Sequence, residues 1–283
     1  MKLLASDTIR RCYIADPGRV IISADFDQIE LRIAAAMSGE PRLIDAAKRG
    51  ESLHKIAAAE LFGPNYTQDQ YRYTKNVNFG WLFGGGAKTL SEQAGITYAQ
   101  AQTIIRKYND AFPFLSAFKR RETEAVYRAA FTTQEYRLYK SLRSRMYSLR
   151  ADTREGQSAR AAINREIVRL CKGKFTYAVT PFGRRLIVDA EEAYAVVNYK
   201  IQSTARDIMA RALLRVMDDP ELEPTVLLPI HDELLGQAPK RQAQRIAERY
   251  GKVMSTRFEG VPITASGKVY GRSWGHGYIR HQT

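Results

Sequence analysis

The sequence predicts an α+β protein, with an antiparallel sheet assembled from both ends of the chain around helical insertions. Apolar runs typical of strands occur near the start, at residues 19–25, and near the end, at residues 225–230 and 262–270. Residues 41–118 between them have a helical pattern with breaks at glycines and prolines. At 283 residues and 45% hydrophobic content, the chain can bury a core around such a sheet.

The predicted elements follow a simple order along the chain. The first strand leads into a helix that ends at Ser38 and Gly39, and the helical block after it closes with a helix that ends before Pro113. Strand patterns return on both sides of a Pro-Phe-Gly turn. The remaining elements are a long helix at about 190–217, a hairpin around Asp232, an amphipathic helix near 239–257 and a closing strand.

The charge of the chain favours a polyanionic partner. The formal net charge is +14, which favours nucleic acid, although an acidic membrane surface or a ribosome-associated role would fit the charge alone. Residues 119–176 hold 15 Lys and Arg against 6 Asp and Glu, with tyrosines interspersed. Most of the excess charge is therefore local.

The sequence also gives an expectation about location. No stretch approaches the roughly 18 apolar residues that a membrane span needs, and the first residues lack the apolar region of a signal peptide. We therefore expect a cytoplasmic protein, for which an origin in a virus or phage is possible.

Two carboxylate positions indicate a metal site. Asp232 and Glu233 follow His231 at the predicted hairpin tip, and adjacent carboxylates are costly near neutral pH unless cations neutralise them. Asp25 lies in a similar setting at the end of the first strand. The pattern favours a divalent-metal site that handles phosphate.

A third segment has the chemistry of nucleotide binding. Arg72, Lys75, Phe79 and Phe83 are spaced by three, four and four residues and would share one helical face. Two cations and two rings suit a nucleoside triphosphate. The alternative is a half-buried helix whose rings belong to the core and whose cationic groups reach water.

These three segments resemble the motifs of one family. Residues 25–32 (DFDQIELR) resemble motif A of the family A, DNA polymerase I-like, DNA polymerases, residues 75–84 resemble motif B, and residues 226–234 resemble motif C. Supporting matches lie at residues 52–54, 180–185, 198–205 and 269–274. The resemblance covers nearly the whole chain in the right order, except residues 119–176.

The resemblance implies a polymerase palm sheet with a helical fingers subdomain inserted. Residues 1–37 and 177–283 would form the palm, residues 38–118 the fingers, and residues 119–176 a basic insertion. The thumb and exonuclease domains would be absent from this chain. The chain would then be the carboxy-terminal part of a split or truncated polymerase, and we expect a second polypeptide that supplies the thumb and the remaining palm.

The implied activity is DNA-templated DNA synthesis on primer-template DNA, from deoxynucleoside triphosphates (dNTPs) and with two Mg²⁺ ions. Asp25 and Asp232, with the backbone carbonyl of Phe26, would hold the metals. Lys75 would contact the phosphates and could protonate the leaving pyrophosphate.

The resemblance implies further roles for residues that contact the nucleotide and the DNA. Glu30 would block a 2′-hydroxyl, Phe79 would pack against the incoming nucleotide, and His54 would contact the triphosphate. Asn198 and Gln202, one helical turn apart, would reach the minor groove of the primer-template. His231 and Glu233 would support the primer end.

Two residues depart from the family pattern. The motif B arginine usually precedes the lysine by four residues, but Tyr71 occupies that position and Arg72 lies three before Lys75. A shift of one residue turns a helical side chain by about 100°, which would change how Arg72 reaches the γ-phosphate. Phe83 replaces a tyrosine that bonds the sugar-gate glutamate, so the gate formed by Glu30 would be weaker and RNA synthesis stays open.

Two alternatives remain at this point. The chain could be a non-catalytic nucleic-acid-binding subunit derived from such a polymerase, although all the metal and phosphate residues are present. The basic insertion could grip the DNA backbone, or it could be a solvated helical hairpin or a docking surface.

Overall fold

The computed structural model describes residues 8–82, 84–150 and 153–275. Helices and antiparallel strands make up these residues, with a run of nine helices between β1 and β2, and the α+β class that the sequence predicts is confirmed. The strands are β1 (Arg19–Phe26), β2 (Phe175–Val179), β3 (Arg185–Asp189), β4 (Val226–Ile230), β5 (Glu233–Pro239), β6 (Thr256–Phe258), β7 (Val261–Ile263) and β8 (Ala265–Gly271). The helices are α1 (Ile29–Ser38), α2 (Pro41–Lys48), α3 (Leu53–Phe62), α4 (Gln68–Leu82), α5 (Ala87–Ala94), α6 (Tyr98–Ala111), α7 (Pro113–Ala130), α8 (Thr133–Ser148), α9 (Arg154–Cys171), α10 (Val196–Met217) and α11 (Ala243–Met254).

The chain divides into two compact units. The sheet unit comprises residues 1–37, 41–56 and 204–283, and the helical unit comprises residues 38–40 and 57–203. The four-part division into palm, fingers and insertion uses other boundaries and stays a prediction. No helix in the described part of the chain is both long and apolar enough to cross a bilayer.

The central sheet of the sheet unit has the strand order β4-β5-β1-β8, and its neighbouring strands are antiparallel. Strand β1 comes from the start of the chain, whereas its neighbours come from the last quarter. The expectation that both ends of the chain build the sheet is therefore confirmed. Most of β1 is buried, as a strand between two others and covered by a helix should be.

Helix α11 covers one face of this sheet. A Cβ atom on Gly267 of β8 would lie 1.9 Å from the carbonyl oxygen of Ala247 in α11, so only glycine permits this close approach. Because strand residues alternate between faces, Ser266, Lys268 and Tyr270 point away from α11. The predicted site carboxylates Asp25 and Glu233 contact side chains on that second face.

The helical unit holds the basic insertion. Helices α8 and α9 pack against each other through a hydrophobic core that includes Phe131. Thr132 is the N-cap of α8 and forms a capping box with Glu135. Residue 119, where the predicted insertion starts, lies inside α7. The long helix expected from residue 190 begins at Val196, because residues 190–195 form a 3₁₀ turn with non-helical dihedral angles at Glu192.

Candidate active site

The backbone of the sheet brings the predicted metal carboxylates together. His231 and Asp232 form the loop between β4 and β5, which confirms the predicted hairpin, and His231 has a left-handed φ of 57°. Asp25 is the register partner of Glu233 across β1 and β5. The backbone N–H of Phe26 also donates to the carbonyl oxygen of Asp232 over 3.2 Å. The ends of the two strands are thus held side by side.

This cluster carries an excess of negative charge. Burial, followed by the charge of Asp232, raises the pKa of Asp25 from 3.8 to about 6, and Glu233 and Asp27 add to the effect. Lys268 opposes it, with Nζ 3.8 Å from Oδ2 of Asp25. A bound cation would relieve the repulsion that remains.

Hydrogen bonds hold the neighbouring groups. Nδ1 of His231 lies 3.0 Å from Oδ1 of Asp232. The Tyr270 hydroxyl donates to Oε1 of Glu233 over 3.0 Å and accepts from the Ser23 hydroxyl over 3.2 Å. Asp27 is held differently, because its carboxylate accepts from the hydroxyl groups of Ser266 and Thr264. Within the described residues, no group of three or more His, Cys, Asp or Glu side chains is arranged to hold a metal ion.

Glu30 and His54 lie in the same unit as the carboxylates. Glu30 is in the first turn of α1 and is buried, and burial raises its pKa, an effect that His231 opposes and Asp232 reinforces. His54 is also buried, and its backbone N–H donates to Oε1 of Gln28 over 3.2 Å. The amide of Gln28 donates to Ser52, so this side chain joins the start of α3 to the end of β1.

Lys75 and Phe79 of motif B lie on α4 in the helical unit. Lys75 and Phe79 are exposed on one face, while Val77 and Asn78 are buried on another. Phe79 is 41% exposed and does not belong to the core. The alternative of a half-buried helix with core rings is therefore wrong for Phe79.

The other predicted residues of the helical unit have varied settings. Arg72 is exposed and forms an ion pair with Asp69, and Nζ of Lys75 lies 5.0 Å from the ring centroid of Tyr71. Phe83 lies outside the described residues. Asn198 and Gln202 lie in the first two turns of α10, the former half-buried and the latter exposed, on one side of the helix.

Sequence reasoning missed Lys268 and Tyr270 on β8. Both contact predicted carboxylates: Lys268 pairs with Ser23 in the β1–β8 ladder, and Tyr270 is the residue skipped by the register shift between Ile21 and Ile22. The alternation of β8 could have placed Lys268 and Tyr270 on one face. Nothing in the sequence identifies which residues lie opposite them.

Comparisons with known proteins agree with this fold. The chain belongs to DNA polymerase family A, because the family model described as "DNA polymerase family A" matches residues 2–168 and 166–276. The family resemblance predicted from the three motifs is confirmed. Family A polymerases generally use divalent metals.

The relatives include phage and bacterial enzymes. The chain is 33% identical to a DNA polymerase of Mycobacterium phage D29 over 98% of this chain and 38% of the relative. It is 30% identical to the thermostable DNA polymerase I of Thermus aquaticus over 89% of this chain and 26% of the relative. The chain thus spans less than two fifths of these relatives.

A solved structure has the same fold. The POL domain of Pol1 from M. smegmatis, in complex with DNA primer-template and dNTP, matches 97% of this chain and 43% of its own with a TM-score of 0.69 and 22% identity. The likeness supports a polymerase-type arrangement of helices and antiparallel sheet. The second polypeptide expected from the sequence gains no support from these comparisons and stays a prediction.

Proposed function

We propose that this chain catalyses the DNA-templated addition of deoxynucleotides to the 3′-hydroxyl of a primer. The observation that carries the proposal is the pairing of two strand ends that places Asp25 beside Asp232, with the pKa of Asp25 raised to about 6. Family membership and the fold of a primer-template complex support the same activity. In this proposal the cluster is built to receive cations.

The residues fit two Mg²⁺ ions. Mg²⁺ is usually bound through one or two carboxylates together with waters and substrate phosphates, so Asp25 and Asp232, with the carbonyl of Phe26, form a suitable oxygen set. When bound, such ions lower the pKa of the attacking hydroxyl and neutralise charge that develops on the triphosphate. Lys268 supplies part of the neutralisation from the chain itself, because its Nζ lies 3.8 Å from Asp25.

The exposed face of α4 would bind the triphosphate and base. In the proposal, Lys75 contacts the phosphates and donates a proton to the leaving pyrophosphate, and Phe79 packs against the nucleotide. Arg72 and His54 would add phosphate contacts. Arg72 would have to leave Asp69 to do so, at small cost because their ion pair is exposed.

Other residues would select the substrate and position the DNA. Glu30, buried in the first turn of α1, would exclude a 2′-hydroxyl. His231 and Glu233 would support the primer end, and the latter is held in place by Tyr270. Asn198 and Gln202 would donate to minor-groove acceptors that all base pairs share.

Primer extension with Mg²⁺ tests the proposal. We expect Asp25→Asn and Asp232→Asn each to lower the rate by at least about 100-fold, because each removes a charge needed in the transition state. Asp218→Asn is the matched control, since Asp218 is an exposed aspartate just beyond α10. Equal incorporation by the wild type and both active-site variants would exclude catalysis at this cluster and would favour a non-catalytic DNA-binding subunit.

A further inference from the structure

A basic groove lies between helices α7 and α8, and all of its lining residues except Tyr194 fall within the segment 119–176, which the motifs of the family resemblance leave out. Its volume is about 710 Å³. Its walls come from α7 and α8, and Tyr194 of the 3₁₀ turn also lines it. We call it the α7–α8 groove, and its cationic residues are Lys119, Arg120, Arg121, Arg128, Lys140 and Arg143.

The positive charge of this groove is poorly neutralised. Glu124 is the acidic residue of the lining, and it is engaged by Lys140 over 3.3 Å and by the hydroxyl of Tyr136. Within the described residues, Arg120, Arg128 and Arg143 form no ion pair with a carboxylate. Arg143 donates to the hydroxyl of Tyr147, and Arg128 bonds to Tyr136. No carboxylate in the described part of the chain neutralises the three arginines, so their charge is available to phosphate groups.

The groove also has an aromatic lining. Tyr127 and Tyr139 pack with their ring centroids 4.3 Å apart, and burial raises the pKa of both hydroxyls, so they add no negative charge. Tyr147 is 65% exposed and Tyr194 is 49% exposed, so both rings offer an open face. The guanidinium of Arg143 lies over one face of the Tyr147 ring, 4.9 Å from its centroid, and donates to its hydroxyl, so a cation adjoins a ring whose other face can stack.

The groove adjoins a second cavity that reaches the exposed face of α4. Tyr194 lines this second cavity of about 510 Å³, which is shared with Phe79 and Gly84. The ring of Tyr194 lies so close to Gly84 that a Cβ there would be 2.6 Å from it. One tyrosine thus joins the basic groove to the ring proposed to contact the nucleotide.

We propose that the α7–α8 groove binds single-stranded DNA, and that its occupant is the unpaired stretch of template still to be copied. Cationic groups together with exposed aromatic rings, here Tyr147 and Tyr194, are the chemistry that binds a single strand, because the phosphates meet the arginines while bare base faces stack. In a duplex the base faces are covered, so the rings would contribute little. The assignment to the template strand rests on the proposed polymerase function, whereas binding of a single strand does not.

The test is fluorescence anisotropy with the full chain and a labelled 20-nucleotide oligo(dT), in EDTA and at several NaCl concentrations. We expect the triple variant R120A/R128A/R143A to bind oligo(dT) at least about tenfold more weakly. The slope of the logarithm of the binding constant against the logarithm of the NaCl concentration should be smaller in magnitude by about 2, as the loss of three phosphate contacts predicts. Tyr147→Ala should weaken binding by about fivefold or more, and Tyr147→Phe should retain it.

Matched controls separate the groove from general charge. The variant R137A/R165A/R169A removes three exposed arginines of α8 and α9 that do not line the groove, and Tyr98→Ala removes an exposed ring elsewhere in the helical unit. Both should bind oligo(dT) within about twofold of wild type at moderate salt, because screening weakens distant charges. Thermal unfolding of every variant confirms that the fold is intact.

Three results would overturn the proposal. The first is an equal loss of oligo(dT) affinity in the two triple variants. The second is that Tyr147→Ala weakens binding of a 20-base-pair duplex as much as binding of oligo(dT). The third is that polyglutamate displaces oligo(dT) at an equal concentration of charge. The last result would indicate a docking surface for an acidic protein.

Primer extension then separates this proposal from the proposed function. The groove variant should extend primers on templates with a long 5′ overhang more slowly than wild type, but should match it on a two-nucleotide overhang. Asp232→Asn should abolish extension on both templates while leaving oligo(dT) binding unchanged. If wild type does not extend primers and the groove still binds oligo(dT) as expected, polymerase function fails and the single-strand site stands. Equal slowing of the groove variant on both overhangs would overturn the template assignment.

Discussion

The hydroxyl of Tyr270 donates a 3.0 Å hydrogen bond to Glu233, across strands that come from either side of β1. The same hydroxyl accepts from Ser23, which is fully buried. Tyr270→Phe would remove the donor to Glu233 and the acceptor of Ser23 together. We expect a loss of about 1–3 kcal/mol in the free energy of unfolding, measured by urea denaturation.

A double-mutant cycle with Ser23→Ala gives the control for this prediction. If Tyr270 acts through both bonds, Ser23→Ala should cost less in the Tyr270→Phe background than in wild type. Tyr98→Phe, at an exposed position, should leave the stability unchanged. If the two substitutions have additive effects on stability, the hydrogen bond between Ser23 and Tyr270 does not contribute as proposed.

The stability of the metal-free chain should depend on Asp25. The pKa of Asp25 is raised from 3.8 in the unfolded chain to about 6 in the folded one. Above pH 6 the ionised carboxylate therefore lowers the free energy of unfolding, and this loss vanishes as the pH falls toward 4. Asp25→Asn should therefore raise the melting temperature in EDTA at pH 7 to 8. The gain should shrink through pH 6 and be absent near pH 4. A gain that does not vary with pH would contradict the raised pKa, and Asp218→Asn supplies the baseline.

The sugar gate can be tested by comparing two substitutions of Glu30. If Glu30 excludes a 2′-hydroxyl by its volume, Glu30→Ala should raise ribonucleotide incorporation relative to deoxynucleotide by about tenfold or more, while Glu30→Gln should keep most of the discrimination. The ratio of kcat/KM values for the two sugars measures this. Equal loss in both variants would show that the charge of Glu30, rather than its size, sets the selectivity.

Lys75 should matter more than other exposed lysines of the helical unit. If it stabilises charge on the leaving pyrophosphate, Lys75→Ala should lower kcat by about 100- to 1000-fold. Lys88→Ala, at an exposed lysine of α5, should have little effect. Similar rates for the two variants would remove Lys75 from the catalytic machinery.

Gly84 should be intolerant of a side chain for two separable reasons. It has a φ of 77°, and a Cβ would lie 2.6 Å from the Tyr194 ring. Gly39 has a similar φ of 73° with open space around it, so Gly39→Ala measures the backbone strain alone, about 1–2 kcal/mol. Gly84→Ala should cost about 1–3 kcal/mol more, and Tyr194→Ala should recover that excess. Equal costs at the two glycines would mean that Tyr194 moves aside freely.

Much of the site could be predicted because its signals are local. The strand that ends at Asp25 and the hairpin that carries Asp232 follow from apolar runs beside polar residues, and both are present. The face shared by Lys75 and Phe79 follows from helical spacing, although only the structure shows that Phe79 is exposed.

Other features depend on distant parts of the chain. Lys268 and Tyr270 lie beside Asp25 and Glu233 because of the strand order and the pairing register, with Tyr270 at a register shift, and no local pattern reveals these. Likewise, the basic residues of 119–176 could be counted from the sequence. Which of them line a groove and which lie on the outer surface could not be predicted.

The sequence by itself determined the α+β class, the polymerase family and the candidate metal carboxylates, because strand and helix periodicities and short motifs are written in neighbouring residues. Only the tertiary structure decided that the carboxylates of β1 and β5 share one end of a sheet, with the pKa of Asp25 raised. It also decided that arginines from α7 and α8 face a common groove with exposed tyrosines. Burial and electrostatic coupling arise between groups distant in sequence, so they exist only once the chain has packed.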